Sequence, residues 1–264
     1  MAIHPTAIID EGAKLGSDVQ IGPYCHVGAQ VVLGDNVILE SHVVITGDTI
    51  IGADTHIYPF ASIGHIPQDL KFSNEPVRLE IGARNRIREY VTINPGTAGG
   101  GGLTRIGDDN LFMVGTHVAH DCMFGNQIVL APNALIGGHV VVDDKVIIGG
   151  LVAIHQFCRI GVHAFVGGGS VVAEDVIPFG TVTGNRAVLS GLNLIGLKRH
   201  NFDRTEIKNL QQAHKILFLS QDGTLADRLA NIAEKYKDSD AVQKIVAFMQ
   251  AEKNRGFCMP IAKN

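Results

Sequence analysis

Hydrophobic residues recur at every sixth position along most of the chain. The series has 26 members, none of them polar: Ile3, Ile9, Leu15, Ile21, Val27, Leu33, Leu39, Ile45, Ile51, Ile57, Ile63, Ile81, Ile87, Ile93, Ile106, Phe112, Val118, Phe124, Leu130, Ile136, Val142, Ile148, Ile154, Ile160, Val166 and Val172. A period of six fits neither an amphipathic helix nor an alternating strand. It is the hexapeptide repeat of a parallel β-helix, in which six residues form one short strand and one turn, and three such units form a triangular coil.

The repeat predicts where each side chain points. The hydrophobic residue should enter the prism and stack on the residue 18 positions away, and the glycine that often follows it suits a tight turn. The resemblance to known hexapeptide proteins implies a left-handed coil, because periodicity alone does not give the hand. The predicted fold is mainly β: a left-handed parallel β-helix, a triangular prism, over residues 1–186, followed by a small α-helical C-terminal domain over 187–264.

Two stretches interrupt the frame. In 64–80 the frame positions become Asp69 and Glu75, so this stretch is expected to leave the coil as an outward loop. A second outward loop is expected near 94–104, where four glycines follow one another from Gly99 to Gly102. The glycine run resembles a phosphate-binding loop only superficially, because no Gly-Lys-Ser/Thr follows and the strand–loop–helix context is missing.

The pattern becomes helical after about residue 184. Asp203 and Glu206 predict a capping box ahead of Ile207, Leu210 and Leu217, which recur at helical spacing. Segments 224–236 and 239–254 are predicted to form further helices.

Composition narrows the classes of function. The chain has 264 residues and a net charge of −4, so it has no overall basic field that would favour nucleic acid. Tryptophan is absent and aromatic residues make up 6%, which disfavours a stacking platform for bases. No Cys-x-x-Cys pair occurs among the four cysteines, and no basic-plus-apolar leader or stretch of about 20 apolar residues is visible. We therefore expect a reduced, cytoplasmic protein without a membrane span.

One segment is locally basic. Residues 186–215 contain six Lys and Arg but only two acidic residues, which gives the segment a net charge of +4. This is either an ordinary solvated helix face or a docking surface for an acidic partner or a phosphate.

Polar residues that can carry chemistry gather on one face of the coil. Residues 18 apart stack, so Gly138 follows His120 and His139 follows Asp121 at the β-sheet spacing of about 4.8 Å. His120 suits a general base at neutral pH, Asp121 can orient it, and the Gly138 N–H is a candidate oxyanion donor. His155 and Gln156 belong to the same face, and a metal pair of His117 and His120 is a weaker alternative.

Gly168 lies on another side of the prism than His120. One cleft can use both residues only where two subunits meet, which favours an oligomer with shared sites.

Several motifs together resemble one family. They are, in chain order, Ile81-Gly82, Asn85-x-Ile87-Arg88-Glu89, Val91-Thr92-Ile93, His117-Val118-Ala119-His120-Asp121-Cys122, Ile154-His155-Gln156-Phe157-Cys158 and, in the tail, Gly196-Leu197-Lys198-Arg199. The chain is similar over essentially its whole length to the UDP-N-acetylglucosamine O-acyltransferases, which open lipid A synthesis in Gram-negative bacteria. The bare hexapeptide repeat indicates only a superfamily.

The resemblance implies a role for each matching residue. His120 would accept the proton of the glucosamine 3-hydroxyl, Asp121 would support it, and Gly138 would stabilise the oxyanion. Gln68, Asp69 and Lys71 match residues at the sugar and acyl chain, and Asn193 and Arg199 match uridine and phosphate contacts. The remaining residues of the implied site are His117, His139, His155 and Gln156, which line it, and Gly168, which matches the floor of the acyl pocket.

Three positions depart from the family pattern. Asn94, Ile195 and His200 stand where His, Glu and Arg are common in the family. They bear on nucleotide contacts and on whether the sugar carries a 3-hydroxyl or a 3-amine, rather than on the transfer chemistry.

The implied reaction is direct acyl transfer from acyl carrier protein to the 3-hydroxyl of UDP-N-acetylglucosamine. It needs no covalent enzyme intermediate, no cofactor and no metal, so Cys122 is expected to be a packing residue. Carrier protein is acidic, which gives the basic segment a partner. A homotrimer with three clefts between neighbouring prisms is expected.

Other interpretations remain open from the residues alone. A γ-class carbonic anhydrase is also a β-helix trimer, but its His-x-x-x-x-His spacing does not occur among the 12 histidines. A structural β-helix would need neither a polar face nor a basic tail. Another hexapeptide acyltransferase acting on a different nucleotide sugar is the third alternative.

Overall fold

The computed structural model describes residues 2–261 and contains a long coil of short strands. The strands, in chain order, are β1 (Ala2–Ile3), β2 (Ile8–Ile9), β3 (Lys14–Leu15), β4 (Gln20–Ile21), β5 (His26–Val27), β6 (Val32–Leu33), β7 (Ile38–Leu39), β8 (Val44–Ile45), β9 (Asp48–Ile51), β10 (His56–Ile57), β11 (Ser62–Ile63), β12 (Arg78–Ile81), β13 (Arg86–Ile87), β14 (Thr92–Ile93), β15 (Leu103–Ile106), β16 (Leu111–Phe112), β17 (His117–Val118), β18 (Met123–Phe124), β19 (Val129–Leu130), β20 (Leu135–Ile136), β21 (Val141–Val142), β22 (Ile147–Ile148), β23 (Ala153–Ile154), β24 (Arg159–Ile160), β25 (Phe165–Val166), β26 (Val171–Val172), β27 (Gly180–Thr183) and β28 (Val188–Leu192).

Every third strand joins the same sheet, so the coil has three faces. Sheet A runs from β1 through β4 and β7 to β25, sheet B contains β2, β5 and so on to β26, and sheet C contains β3, β6 and so on to β24. Pairing within these series is parallel, and within the regular coils it joins residues 18 apart, as in His117 with Leu135. The predicted parallel β-helix and its register are confirmed.

The predicted repeat forms the core. Each of its 26 positions is the last residue of one of the strands β1 to β26. All of them from Ile21 onward are buried, whereas Ile3, Ile9 and Leu15 lie at the open end of the prism and keep some exposure. A second buried position lies two residues before each buried repeat residue in most coils, and Cys25, Cys122 and Cys158 are among the residues that occupy it.

The turns between sheets form three corners that position the site. Corner 1 joins sheet A to sheet B, corner 2 joins B to C, and corner 3 joins C to A. Both interruptions of the repeat leave the coil at corner 2: the first loop spans 64–77, and the second spans 94–102 with a short 3₁₀ turn at Ala98–Gly100. Both loops lie near the coil that carries His120, which occupies corner 2 one turn later.

The coil ends in an antiparallel hairpin. β27 pairs with β25 and then with β28, which extends sheet A to Leu192. The first helix, α1 (Leu194–Arg199), follows directly, and α2 (Arg204–Leu219), α3 (Leu225–Lys235) and α4 (Asp240–Gln250) complete the helical part. The first helix of the predicted C-terminal domain begins at 194, because the preceding residues of β28 still belong to sheet A. Residues 262–264 of the predicted second domain lie outside the described residues.

The predicted capping box of α2 is half wrong. Asp203 does cap the helix and accepts a hydrogen bond from the Thr205 N–H at 2.7 Å. Glu206 instead reaches across to α4, where it accepts from the Ser239 hydroxyl at 2.9 Å and from the Ala241 N–H at 3.1 Å. The Glu206 carboxylate therefore binds residues of another helix instead of the N-terminus of its own helix. A reciprocal capping box is found at the start of α3, between Thr224 and Asp227.

Within residues 2–261 no helix combines the length and the apolar character that a membrane crossing requires.

Candidate active site

His120 and Asp121 form a buried pair at corner 2. The His120 Nδ1 lies 2.7 Å from the Asp121 Oδ2, and both residues are buried, with 6% and 4% of their surface exposed. Asp121 has a φ of 60°, the left-handed conformation that recurs at this turn position through the coil. Aspartate adopts this conformation more readily than most residues. Because an ionised carboxylate only accepts hydrogen bonds, Nδ1 carries the proton and the Nε2 lone pair is free to act as a base.

Gly138 stacks on His120 as the repeat predicts. A Cβ on Gly138 would lie 2.6 Å from the His120 Cε1 and 2.8 Å from its Nε2, so only glycine leaves the imidazole in place. Within residues 2–261 the Gly138 N–H makes no hydrogen bond. An unpaired backbone donor beside a base is what an oxyanion site requires.

Two further histidines flank the pair. The His117 Nδ1 lies 2.7 Å from the Thr92 hydroxyl, and the His139 Nε2 lies 3.7 Å from the Asp121 Oδ2. Burial lowers the pKa of both imidazoles, and the neighbouring His120 lowers both further, while Asp121 opposes the shift at His139. Both rings are therefore neutral at neutral pH and can orient a substrate by hydrogen bonds without repelling a proton from His120.

The first loop brings Asp69 to the same corner. Asp69 is close enough to His139 to raise the pKa of that imidazole. Its own Oδ1 accepts a hydrogen bond from the Lys71 N–H at 3.0 Å, which shapes the loop. Gln68 and Lys71 are exposed on this loop.

His155 and Gln156 lie at corner 2 in the coil that follows Gly138. Sequence reasoning missed their partner, Arg255, which lies beyond α4. Its Nη2 is 2.8 Å from the His155 Nδ1, and its Nε donates to the Gln156 carbonyl oxygen at 3.1 Å. The His155 Nδ1 also lies 3.2 Å from the Gln156 carbonyl oxygen, so Arg255, His155 and Gln156 form one cluster. No local motif connects residues 99 and 100 positions apart.

The second loop reaches Asp121, which sequence reasoning also missed. The Thr97 N–H donates to the Asp121 Oδ1 at 2.8 Å, and the Thr97 hydroxyl donates to its Oδ2 at 2.6 Å. Asn94, one of the departures from the family pattern, ties this loop to the first by donating from Nδ2 to the His65 carbonyl at 3.0 Å.

Three predicted binding residues lie away from corner 2. Gly168 sits exposed at corner 1 between β25 and β26. Asn193 caps α1 by accepting from the Gly196 N–H at 2.9 Å, and its Nδ2 donates to the His163 carbonyl at corner 3, also at 2.9 Å. Arg199 ends α1 and is exposed. One chain therefore carries the predicted chemistry and the predicted nucleotide contacts on different corners.

A cavity of about 610 Å³ lies elsewhere, between sheet C and α4, where Met123, Val141 and Phe248 line it. None of the predicted site residues lines it.

Cys122 is unsuited to nucleophilic attack. Its thiol is buried in the inward position before β18, and burial raises its pKa to about 12. The Sγ donates to the Gly137 carbonyl at 3.2 Å. This agrees with its expected role as a packing residue.

His120, Asp121 and His139 are the only group within the described residues whose ligand atoms lie close enough together to hold a metal ion. Their geometry favours proton transfer instead, because the Asp121 carboxylate already accepts from His120 and twice from Thr97. A metal at Asp121 would have to displace these donors.

The basic segment is exposed. All six of its cationic side chains lie on the surface, and none forms an ion pair within residues 2–261. They are Arg186, Lys198, Arg199, Arg204, Lys208 and Lys215. Their charge is available to a partner.

Comparison with known proteins decides the family. Residues 175–258 match the family model described as the second domain of UDP N-acetylglucosamine O-acyltransferase, and residues 12–47 match the bacterial transferase hexapeptide model. A curated acyl-[acyl-carrier-protein]--UDP-N-acetylglucosamine O-acyltransferase of Rickettsia canadensis is 55% identical over 97% of each chain. One from Paracoccus denitrificans is 51% identical over 77% of each chain. The chain belongs to the UDP-N-acetylglucosamine O-acyltransferase family.

A solved UDP-N-acetylglucosamine O-acyltransferase of Moraxella catarrhalis superposes with a TM-score of 0.94 at 41% identity, covering 98% of this chain and all of that one. Membership of the acyltransferase family confirms the predicted left-handed parallel β-helix with its helical C-terminal part. It also favours an O-acyltransferase over the carbonic anhydrase and structural alternatives.

Proposed function

We propose that this protein transfers a (R)-3-hydroxyacyl group from acyl carrier protein to the 3-hydroxyl of UDP-N-acetylglucosamine, the first step of lipid A biosynthesis. The observation that carries the proposal is the buried His120–Asp121 pair, 2.7 Å apart, beside the unpaired N–H of Gly138 in a member of this acyltransferase family.

The pair suits a single displacement. The sugar hydroxyl oxygen attacks the thioester carbonyl carbon while the His120 Nε2 takes the hydroxyl proton. The Gly138 N–H stabilises the oxyanion of the tetrahedral intermediate. When the C–S bond breaks, the leaving thiolate receives the proton from His120, so the base is regenerated. The Asp121 carboxylate, which faces the His120 Nδ1 at 2.7 Å, stabilises the imidazolium that forms.

The other predicted residues bind substrate. Asp69, Gln68 and Lys71 lie on the first loop at the corner of His120, where they can contact sugar and acyl chain. His117, His139, His155 and Gln156 line the cleft, and Asn193 and Arg199 contact uridine and phosphate. Arginine suits phosphate because its planar fork donates two hydrogen bonds.

We further propose a homotrimer whose clefts lie between neighbouring prisms. Two observations support it: Gly168, Asn193 and Arg199 lie on other corners than His120, and corner 1 exposes a ladder of stacked rings. Tyr24, His42, Phe60 and Tyr90 stack with ring centroids 4.8 to 5.1 Å apart, and the three aromatic residues are 46 to 62% exposed. Exposed apolar patches of this kind mark protein interfaces.

The acyl donor and the compartment follow from charge and thiols. The six exposed cations of the basic segment suit an acidic carrier protein. All four cysteines are free and buried, which is typical of proteins from a reducing compartment, and we place the protein in the cytoplasm.

The assay that tests the function identifies the product. Purified protein is incubated with UDP-N-acetylglucosamine and a panel of (R)-3-hydroxyacyl carrier proteins, and the nucleotide sugars are analysed by mass spectrometry. We expect an ester at the 3-hydroxyl and no product from the 3-deoxy sugar nucleotide. A panel in which no donor gives an acylated sugar would contradict the proposal.

A further inference from the structure

The second loop supplies donors to both oxygens of the Asp121 carboxylate. The Thr97 N–H donates to Oδ1 at 2.8 Å and the Thr97 hydroxyl donates to Oδ2 at 2.6 Å. Oδ2 also faces the His120 Nδ1 at 2.7 Å. Thr97 is buried, with 6% of its surface exposed, so water does not compete for these bonds. The rotation of the carboxylate, and with it the orientation of the imidazole, is therefore fixed by one loop residue.

The four consecutive glycines of the loop, Gly99 to Gly102, differ in why each position is occupied by glycine. A Cβ on Gly100 would overlap the Asp121 carboxyl group, and its φ is not left-handed, so the carboxylate rather than the backbone excludes a side chain there. A Cβ on Gly99 would meet nothing within 4 Å. Gly101 and Gly102 have φ of 97° and 78°, which favours glycine for conformational reasons.

The loop is closed on Thr97 and anchored to the coil. The Gly102 N–H and the Gly100 N–H donate to the Thr97 carbonyl at 2.8 and 3.0 Å. The Arg78 N–H, at the start of β12, donates to the Gly102 carbonyl at 2.8 Å. These bonds fix the backbone at Thr97, and with it the N–H that donates to Asp121.

We propose that the loop at 94–102 is a clamp for the Asp121 carboxylate. Thr97 is a positioning residue that holds the carboxylate in line with His120, and Gly100 is glycine because the carboxylate occupies the space of its side chain. The inference rests on the proposed role of His120 as the base.

The first test removes one donor. Thr97→Val keeps the β-branched shape and the backbone N–H but deletes the hydroxyl, and Thr97→Ser restores it. One hydrogen bond to a charged group corresponds to a loss of roughly 10- to 100-fold in kcat for Thr97→Val. The KM for UDP-N-acetylglucosamine should stay near the wild-type value, and Thr97→Ser should recover most of the rate. Equal rates for the valine and serine variants would overturn the proposal.

The second test uses a matched pair of glycines. Gly100→Ala should lower kcat because its methyl group displaces the Asp121 carboxylate, whereas Gly99→Ala in the same turn should leave kcat unchanged. Thermal unfolding of both variants checks that the coil is intact. If both alanines had the same effect on kcat, the clamp would be rejected.

A double-mutant cycle tests whether Thr97 acts through Asp121. In an Asp121→Asn background the ionised acceptor is gone, so Thr97→Val should lower kcat further by much less than it does in the wild type. A loss of the same size in both backgrounds would show that Thr97 acts elsewhere.

A spectroscopic measurement separates this inference from the proposed activity. In the free protein, ¹⁵N NMR of labelled imidazoles should show His120 protonated at Nδ1 in the wild type, Thr97→Ser and Gly99→Ala. Its Nδ1 signal should move in Thr97→Val and Gly100→Ala. Unchanged signals in the last two variants would overturn the clamp even if the protein is an active acyltransferase, and the expected changes would support it even if the substrate were different.

Discussion

His120 and His163 are both buried histidines on turns of the same coil, with 6% and 5% of their surface exposed, yet their surroundings differ. His120 at corner 2 faces the Asp121 carboxylate and the bare backbone of Gly138. His163 at corner 3 packs among Phe179, Phe202 and His200, with ring centroids 4.8 to 5.7 Å away. Burial lowers the pKa of His163 to about 4; the neighbouring His200, Lys145 and Lys244 lower it further, and Asp144 opposes the shift only in part.

The two corners therefore serve different purposes. Corner 2 holds a base with a fixed tautomer and room for a reacting atom, whereas corner 3 holds α1 through the bond from Asn193 to the His163 carbonyl. Since α1 carries Arg199, the chemistry and the predicted phosphate contact of one chain lie on different corners. A complete cleft then requires two chains.

The largest expected effect is on kcat, which should depend strongly on His120 and little on His163. His120→Ala should lower kcat by about 10²- to 10⁴-fold, the usual contribution of a general base, with nucleotide binding retained. His163→Asn should leave kcat close to wild type, because asparagine tolerates the φ of 58° at this position and no proton passes through it. Steady-state kinetics and a UDP-N-acetylglucosamine binding assay are carried out on both variants. Similar losses in kcat would remove the distinction between the corners.

The next effect concerns binding by α1. Arg199→Ala should raise the KM for UDP-N-acetylglucosamine by about tenfold with little change in kcat, since one hydrogen-bonded charge is worth about 1.5–3 kcal/mol before solvent screening. The difference should shrink at high salt. Arg204→Ala, an exposed arginine on α2, is the control and should leave the KM for UDP-N-acetylglucosamine unchanged. An unchanged KM for UDP-N-acetylglucosamine in Arg199→Ala would reject Arg199 as a ligand of its phosphates.

Corner 1 predicts a change in selectivity. Gly168 is exposed, and a Cβ there would have one close neighbour, the Gly150 carbonyl oxygen at 3.3 Å, so the space beyond it is open. We expect this space to accept a long acyl chain, nearer fourteen carbons than ten. Each methylene group buried there should add about 0.8 kcal/mol to binding, so long chains should be preferred. Gly168→Met should shift the product ratio toward shorter chains by several-fold. Long and short acyl carrier proteins competing in one tube measure the ratio, and an unchanged ratio would place the end of the pocket elsewhere.

The smallest expected effect is on stability. Because His163 has a lowered pKa in the fold, the unfolded chain binds the extra proton first as the pH falls. Stability should be full above about pH 6.5 and decrease toward pH 4, where His163 protonates in the fold as well. Lys145, Lys244 and His200 oppose its charge and Asp144 favours it. The midpoint temperature of thermal unfolding should fall less steeply with falling pH in His163→Asn than in the wild type. The same pH dependence in both proteins would contradict the role given to His163.

The repeat made the coil and one face of the site predictable. Counting in steps of 18 brought His120 next to Gly138 and Asp121 next to His139, because strand register in a parallel β-helix carries sequence distance directly into space. The same arithmetic separated Gly168 from His120.

The remainder depended on contacts that no periodicity encodes. Thr97 reaches Asp121 from a loop, and Arg255 reaches His155 across 100 residues. The hairpin partner β28 and the six-residue α1 are too short for a helical or alternating pattern to register. Glu206 matched a capping motif but is bound by Ser239 on another helix.

The central claim, that each cleft is shared by two chains, is tested most directly by mixing variants. His120→Ala and Arg199→Ala chains, carrying different tags, are co-expressed in equal amounts and the mixed oligomers are purified. If the two residues serve a cleft from different chains, about a quarter of the clefts contain both native residues, and kcat/KM should reach about a quarter of the wild-type value. If each chain carries its own site, kcat/KM should stay at the mean of the two parents, about a twentieth of wild type given a tenfold loss for Arg199→Ala, and the shared cleft would be contradicted.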